Sequence, residues 1–75
     1  MSSQAIAIHE GNAVIPKAVI TEKWGFIPSE AHMRESEDMQ DCVRTLIQLL
    51  TDRTIPHPST WKTLAVDDDS VLIFW

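Results

Sequence analysis

Three histidines and a single cysteine are the side chains of this chain best suited to binding a transition metal. They are His9, His32, Cys42 and His57. Zinc sites usually take two ligands from a short motif such as C-x-x-C or H-E-x-x-H, because ligands a few residues apart converge on one ion. Neither motif occurs, and the consecutive acids at 67–69 lack the alternation of a calcium-binding loop. The sequence therefore predicts no metal site and no cofactor.

Hydrolytic and phosphate-transfer chemistry also lack their usual motifs. There is no G-x-S-x-G turn for a nucleophilic serine, and two glycines, Gly11 and Gly25, are too few for a loop that cradles phosphate. A chain of 75 residues also has little interior in which to enclose a substrate pocket. We expect this protein not to be an enzyme.

Acidic residues are concentrated between residues 30 and 41, where Arg34 is the single cation. The five acids are Glu30, Glu35, Glu37, Asp38 and Asp41. If they lie on one exposed helix face, they form a negative stripe that can occupy a basic, nucleic-acid-binding groove of another protein. An ordinary solvated helix with an acidic first turn has the same pattern. Both interpretations remain open, and the five acids are candidate partner-binding residues.

Three tryptophans and two phenylalanines are many large rings for a domain this small to bury. Trp24 and Phe26 flank Gly25 in a predicted loop. Exposed aromatic side chains are frequent hot spots of protein interfaces, so Trp24 and Phe26 join the candidate partner-binding residues. The alternative is that these rings close the ends of the core.

The charge distribution argues against direct contact with nucleic acid or a membrane. Eleven acids and six cations give a net charge of −5, and the cations are scattered, whereas phosphate backbones and anionic lipids attract clustered cations. The N-terminal sequence lacks a basic segment followed by a long apolar run, and one cysteine fits a reducing compartment. We expect a cytoplasmic protein whose partner is another protein.

Near the N-terminus, two runs rich in Ile, Val and Ala flank Gly11-Asn12, which is a two-residue hairpin signal. Both runs are predicted to be strands. Pro16 has no amide hydrogen for the ladder, so we expect the second strand, residues 13–21, to lie at a sheet edge or to bulge there. Residues 22–28 are predicted to be a connection.

The strongest periodicity lies in residues 36–52 and predicts an amphipathic helix. Its apolar positions, at spacings of three and four, are Met39, Cys42, Val43, Leu46, Leu49 and Leu50. This face is predicted to be buried, with Cys42 a small core side chain rather than a reactive thiol. Ser29 and Ser36 are alternative N-caps, and Pro56 and Pro58 exclude a longer helix.

The C-terminal sequence DDDSVLIFW joins three acids to five consecutive apolar residues. Acids before a terminal apolar and aromatic pair resemble the acidic tip of bacterial single-stranded-DNA-binding proteins, which docks into partner proteins. Such a tip carries fewer apolar residues, and five in a free tail would promote aggregation. Residues 71–75 are therefore predicted to be a strand buried on both faces. Residues 59–66 are either a short helix capped by Ser59 or, as we favour, a strand that forms a hairpin with residues 71–75.

These elements predict one α+β domain over residues 1–75, in which a small antiparallel sheet packs on one amphipathic helix in the order ββαββ. The profile is similar in type to small inhibitors made by bacteriophages and mobile elements, such as anti-CRISPR proteins. That similarity implies an inhibitor or adaptor that occludes a basic surface of a nucleic-acid-handling protein. The alternative is a structural or regulatory subunit that forms a homodimer or joins a larger complex, which a thin core and an edge strand would favour.

Overall fold

The computed structural model describes residues 5–75. In chain order these residues form β1 (Ala7–His9), β2 (Asn12–Pro16), α1 (Lys17–Trp24), α2 (Glu30–Glu35), α3 (Glu37–Thr51), a 3-10 turn (Pro58–Thr60), β3 (Thr63–Val66) and β4 (Ser70–Phe74). The strands form one antiparallel sheet in the order β1-β2-β4-β3. The predicted α+β class is confirmed, and the helical layer holds two short helices besides the one that was expected.

The N-terminal hairpin forms around a two-residue turn. His9 pairs with Asn12, so the turn residues are Glu10 and Gly11 rather than the predicted Gly11 and Asn12. Gly11 has a φ of 89°, a left-handed conformation that glycine adopts without a steric penalty. The hairpin prediction is confirmed, with its turn one residue earlier than expected.

The second strand lies inside the sheet, between β1 and β4, and not at an edge. It also ends at Pro16 instead of continuing to residue 21. Pairing with β1 reaches only as far as Val14, so the missing amide hydrogen of Pro16 removes no hydrogen bond from that ladder. The prediction of an edge strand over residues 13–21 is therefore wrong in both its position and its length.

Residues Lys17–Trp24 form helix α1, where the sequence predicted the end of a strand and the start of a connection. Val19 and Ile20 favour strands by propensity, but Ile20 is fully buried in the core and Val19 packs against it. Gly25 ends the helix with a φ of 79°, and its amide donates to the Thr21 carbonyl at 2.7 Å. Burial on one helical face here outweighs local propensity.

Both candidate N-caps are used, each by its own helix. Ser29 Oγ accepts a hydrogen bond from the His32 amide at 3.1 Å and begins α2. Ser36 Oγ accepts one from the Met39 amide at 3.2 Å and begins α3. Because the backbone of Ser36 is extended, the acidic segment is divided between two helices and does not follow one axis.

The buried face of α3 is centred on Val43 and Ile47, neither of which has any exposed surface. The sequence predicted a face that includes Val43 and Leu46, and both are buried. That prediction is wrong for Cys42, which is exposed, and for Leu49 and Leu50, whose exposed fractions are 70% and 59%. The helix is therefore rotated about its axis relative to the predicted orientation.

Two polar side chains explain this rotation. The periodicity of residues 36–52 places Arg44 and Gln48 on the polar side of the helix, opposite the predicted apolar face, but both bind the loop that follows α3. Arg44 Nε donates to the Ile55 carbonyl and Gln48 Oε1 accepts from the Ile55 amide, each at 2.9 Å. Ile55 is 1% exposed, so these hydrogen bonds satisfy buried backbone groups. Turning this side of α3 inward leaves the opposite side of the helix in solvent.

The C-terminal segment is the central strand β4, paired with both β2 and β3. This confirms the strand prediction for residues 71–75 and the favoured hairpin with the preceding segment. Val71 and Ile73 are fully buried, whereas Phe74 is 38% exposed, because the helices cover only one face of the sheet. The prediction of burial on both faces is therefore wrong.

Candidate partner-binding surface

The described part of the chain offers few groups arranged for catalysis. Among residues 5–75, no three His, Cys, Asp or Glu side chains form a group that could hold a metal ion. His57 Nδ1 lies 2.8 Å from Ser59 Oγ, but the same nitrogen accepts the Ser59 amide at 3.1 Å and caps the 3-10 turn. This serine–histidine pair is part of the local turn structure. Within the same residues, every helix is too short or too polar to cross a membrane.

All five of the predicted acidic residues are exposed, on α2 and on the first half of α3. Glu30 forms an ion pair with Arg34 at 3.0 Å, and Asp41 forms one with Arg44 at 3.5 Å. Surface pairs of this kind contribute little to stability. Glu37 and Asp38 form no ion pair with any described residue, and Glu35 likewise has none. The negative charge is thus least compensated at the start of α3.

The two arginines among these acids are tied to backbone carbonyl groups. Arg34 Nε donates to the Leu64 carbonyl at 3.1 Å, and Arg44 Nε donates to the Ile55 carbonyl at 2.9 Å. These hydrogen bonds hold each guanidinium beside the body of the protein, where Arg34 pairs with Glu30 and Arg44 with Asp41, and neither forms an ion pair with Glu35, Glu37 or Asp38. The exposed side of α3 therefore keeps its negative potential.

The predicted aromatic residues lie beside α3. Trp24, at the end of α1, is half-buried against the core, and its ring centroid is 6.4 Å from that of Phe26, which is 55% exposed. Trp24 also lines a surface depression together with Cys42 and Leu49. Asp38 precedes Cys42 by four residues, which places both on the same side of α3, one turn apart.

These positions bring part of the predicted site together. Trp24 lies across from Cys42, Phe26 lies next to Trp24, and Asp38 is one turn before Cys42, with Asp41 further around α3. Glu37 lies further around still, while Glu30 and Glu35 are on the separate helix α2. The acidic residues thus form a curved region that extends away from the aromatic pair, rather than one stripe.

The apolar half of this surface was missed, because its leucines were assigned to the core. We call it the α1–α3 groove; it is lined by Val19, Glu22, Lys23 and Trp24 of α1 and by Cys42, Thr45, Leu46, Leu49 and Leu50 of α3. A signal for it exists in the sequence. The apolar residues of α3, with Ile47 included, occupy more of its circumference than one buried face requires.

Comparison of this chain with models of known protein families, with curated proteins and with solved structures found no match.

Proposed function

We propose that this protein is a small acidic interaction module that binds another protein and occludes a basic surface on it, acting as an inhibitor or adaptor. One observation carries the proposal: α3 presents the unpaired acids Glu37 and Asp38 in its first turn and the exposed apolar side chains of Cys42 and Leu49 further along. An apolar centre with a charged margin is the usual anatomy of a protein interface.

A nucleic-acid-binding groove is the kind of basic surface that would attract this region most strongly. Such grooves carry clustered Lys and Arg side chains that bind rows of phosphates. The exposed carboxylates of α2 and α3 form a curved acidic region, and the net charge of −5 adds a long-range attraction. Binding driven in this way depends steeply on salt, because counterions compete with both partners.

Reversing the charge of Glu37, Asp38 and Asp41 to lysine should therefore weaken partner binding about tenfold or more and flatten its dependence on salt. The experiment is capture of proteins from bacterial lysate by the tagged chain at low and moderate salt, with added nucleic acid as competitor. We expect the unmodified chain to capture a nucleic-acid-handling protein that the added nucleic acid displaces.

The turn between β3 and β4 supplies the matched control. Reversing Asp67, Asp68 and Asp69 changes the net charge by the same amount at a site in a different part of the protein, and all three are exposed. Capture should survive this change. An equal loss in both variants would show that only the overall charge matters. Recovery of no nucleic-acid-handling protein would contradict the proposal.

A second candidate function, self-assembly into a homodimer, is favoured by the uncovered face of the sheet. Its residues are Ala7, His9, Asn12, Val14, Pro16, Thr63, Ala65, Ser70, Leu72 and Phe74. None of them is Asp, Glu, Lys or Arg, although 23% of the chain is charged. Depletion of charge is typical of the centre of an interface. Two copies that meet here would also keep their acidic helices far apart.

The area of this face sets the expected strength of such a dimer. Strands about 4.8 Å apart and about five residues long give a face of roughly 19 Å by 17 Å, which is small for a stable interface. We expect dimers only at high micromolar concentration, with Leu72→Lys restoring the monomer and Leu49→Lys, in the helical layer, leaving the dimer intact. Sedimentation equilibrium tests this; a constant mass of 8.5 kDa up to millimolar concentration would exclude the dimer.

A further inference from the structure

We propose that the α1–α3 groove binds a basic amphipathic helix of the partner, whose apolar residues fill the groove while its Lys and Arg side chains meet Asp38 at the start of α3 and the acidic surface beyond it. This inference rests on the proposed function and adds the class of structural element that is recognised.

The spacing of the apolar residues along α3 indicates a helical ligand. Cys42, Leu46 and Leu49 follow one another at intervals of four and three residues and so form a ridge along the helix. The side chains of a second helix pack into the grooves beside such a ridge. Val19 and Trp24 supply the opposite wall from α1, so a ligand helix would lie over two helices rather than one.

Cys42 and Leu49, at the two ends of this ridge, are exposed, whereas Leu46 between them is buried, so the described residues leave both ends of the ridge uncovered. Leu49 and Leu50 are the two most exposed large apolar side chains in the described part of the chain. Leu49 lines one depression with the half-buried Trp24 and another with Leu50, and the Trp24 ring lies 6.4 Å from that of the exposed Phe26, so these apolar side chains adjoin one another. Continuous apolar surface with charged neighbours is characteristic of interaction sites, whereas single exposed leucines are common everywhere.

Charge decides which helix fits. On α3, Asp38 lies one turn before Cys42 on the side of the groove, with Asp41 and Glu37 further around the helix, while on α1 the opposite charges of Glu22 and Lys23 line the groove next to each other. A second copy of this chain would place another acidic α3 against the first, across two chains that each carry a net charge of −5. A helix with Lys and Arg beside its apolar stripe would be attracted to this acidic surface, whereas a second copy of the chain would be repelled by it.

A synthetic peptide tests this directly. The probe is a helix-forming peptide of about 18 residues built from leucine and lysine, with leucine at positions i, i+3, i+4 and i+7. Two control peptides are used, one with the same composition in an order that distributes leucine around the helix and one with glutamate in place of lysine. Binding is measured by heteronuclear NMR titration. It is measured a second time as protection of Cys42, the single cysteine of the chain, from a maleimide reagent.

The amphipathic basic peptide should shift resonances of α1 and α3, slow the alkylation of Cys42 severalfold at saturation, and bind about tenfold more weakly to Leu49→Gln. Leu49 is 70% exposed, so this variant should fold normally, which circular dichroism verifies. Phe74→Thr, on the uncovered face of the sheet, is the matched control and should bind the peptide normally. The two control peptides should bind weakly.

Several results would overturn the inference: no binding of the peptide, equal binding to Leu49→Gln, or unprotected Cys42. Alkylation of Cys42 that slows as the protein concentration rises, with no peptide present, would show that a second copy fills the groove, which also overturns it. Failure of the proposed function looks different. In that case reversal of Glu37, Asp38 and Asp41 leaves lysate capture unchanged, whatever the peptide does.

Discussion

Removal of residues 71–75 should unfold this protein. These residues make up most of β4, which lies between β2 and β3, so the truncation breaks the ladders on both sides and leaves only hairpin β1–β2 paired. It also removes Val71 and Ile73, both fully buried, and burial of each contributes about 1.5–3 kcal/mol. A core of this size supplies only about 3–5 kcal/mol in total. Far-UV circular dichroism and urea titration should show no cooperative transition.

A substitution in the same strand serves as the control, because it removes an exposed aromatic ring and keeps the strand itself. Phe74→Thr keeps a residue that favours strands and changes a side chain that is 38% exposed, so it should lower the free energy of unfolding by less than about 1 kcal/mol. If the truncated chain is soluble and unfolds cooperatively, then residues 71–75 do not hold the sheet together. The resemblance of the C-terminal sequence to a docking tail would then be the better interpretation.

The elements that could be predicted from the sequence are those with local signals. Gly11 marks the hairpin because the turn needs a positive φ, and Ser29 and Ser36 mark helix starts because their hydroxyls accept amide hydrogen bonds. The C-terminal strand was predictable from a different argument, since five exposed apolar residues in a tail would aggregate. Each signal depends on a residue and its immediate neighbours, and needs no knowledge of the tertiary structure.

The parts that could not be predicted depend on distant contacts. Val19 and Ile20 have strand propensity, but they lie in a helix because both side chains pack against the core from that helix. The rotation of α3 is set by hydrogen bonds from Arg44 and Gln48 to the backbone of Ile55, which lies in a loop whose path the sequence does not indicate. The acidic residues of the candidate surface and its aromatic pair were therefore predictable from the sequence, while the choice of which apolar residues of α3 stay in solvent was not.

Because of the rotation of α3, alanine substitutions at Ile47 and at Leu49 should have very different effects on the free energy of unfolding. Ile47 has no exposed surface, so Ile47→Ala should lower the free energy of unfolding by about 2–5 kcal/mol, through lost burial and the cavity that remains. Leu49 is 70% exposed, so Leu49→Ala should change the free energy of unfolding by no more than about 0.5 kcal/mol. Urea unfolding of both variants, followed by circular dichroism, measures the difference.

These two positions form a matched pair because both are aliphatic, both lie in the last two turns of α3, and alanine suits a helix at either one. The difference between them therefore measures burial and not helix propensity. The periodicity of the sequence places Leu49 in the core, and on that basis Leu49→Ala would be the damaging change. If Leu49→Ala lowered the free energy of unfolding strongly and Ile47→Ala lowered it little, then Leu49 would face the core. The α1–α3 groove would in that case offer no apolar surface to a partner.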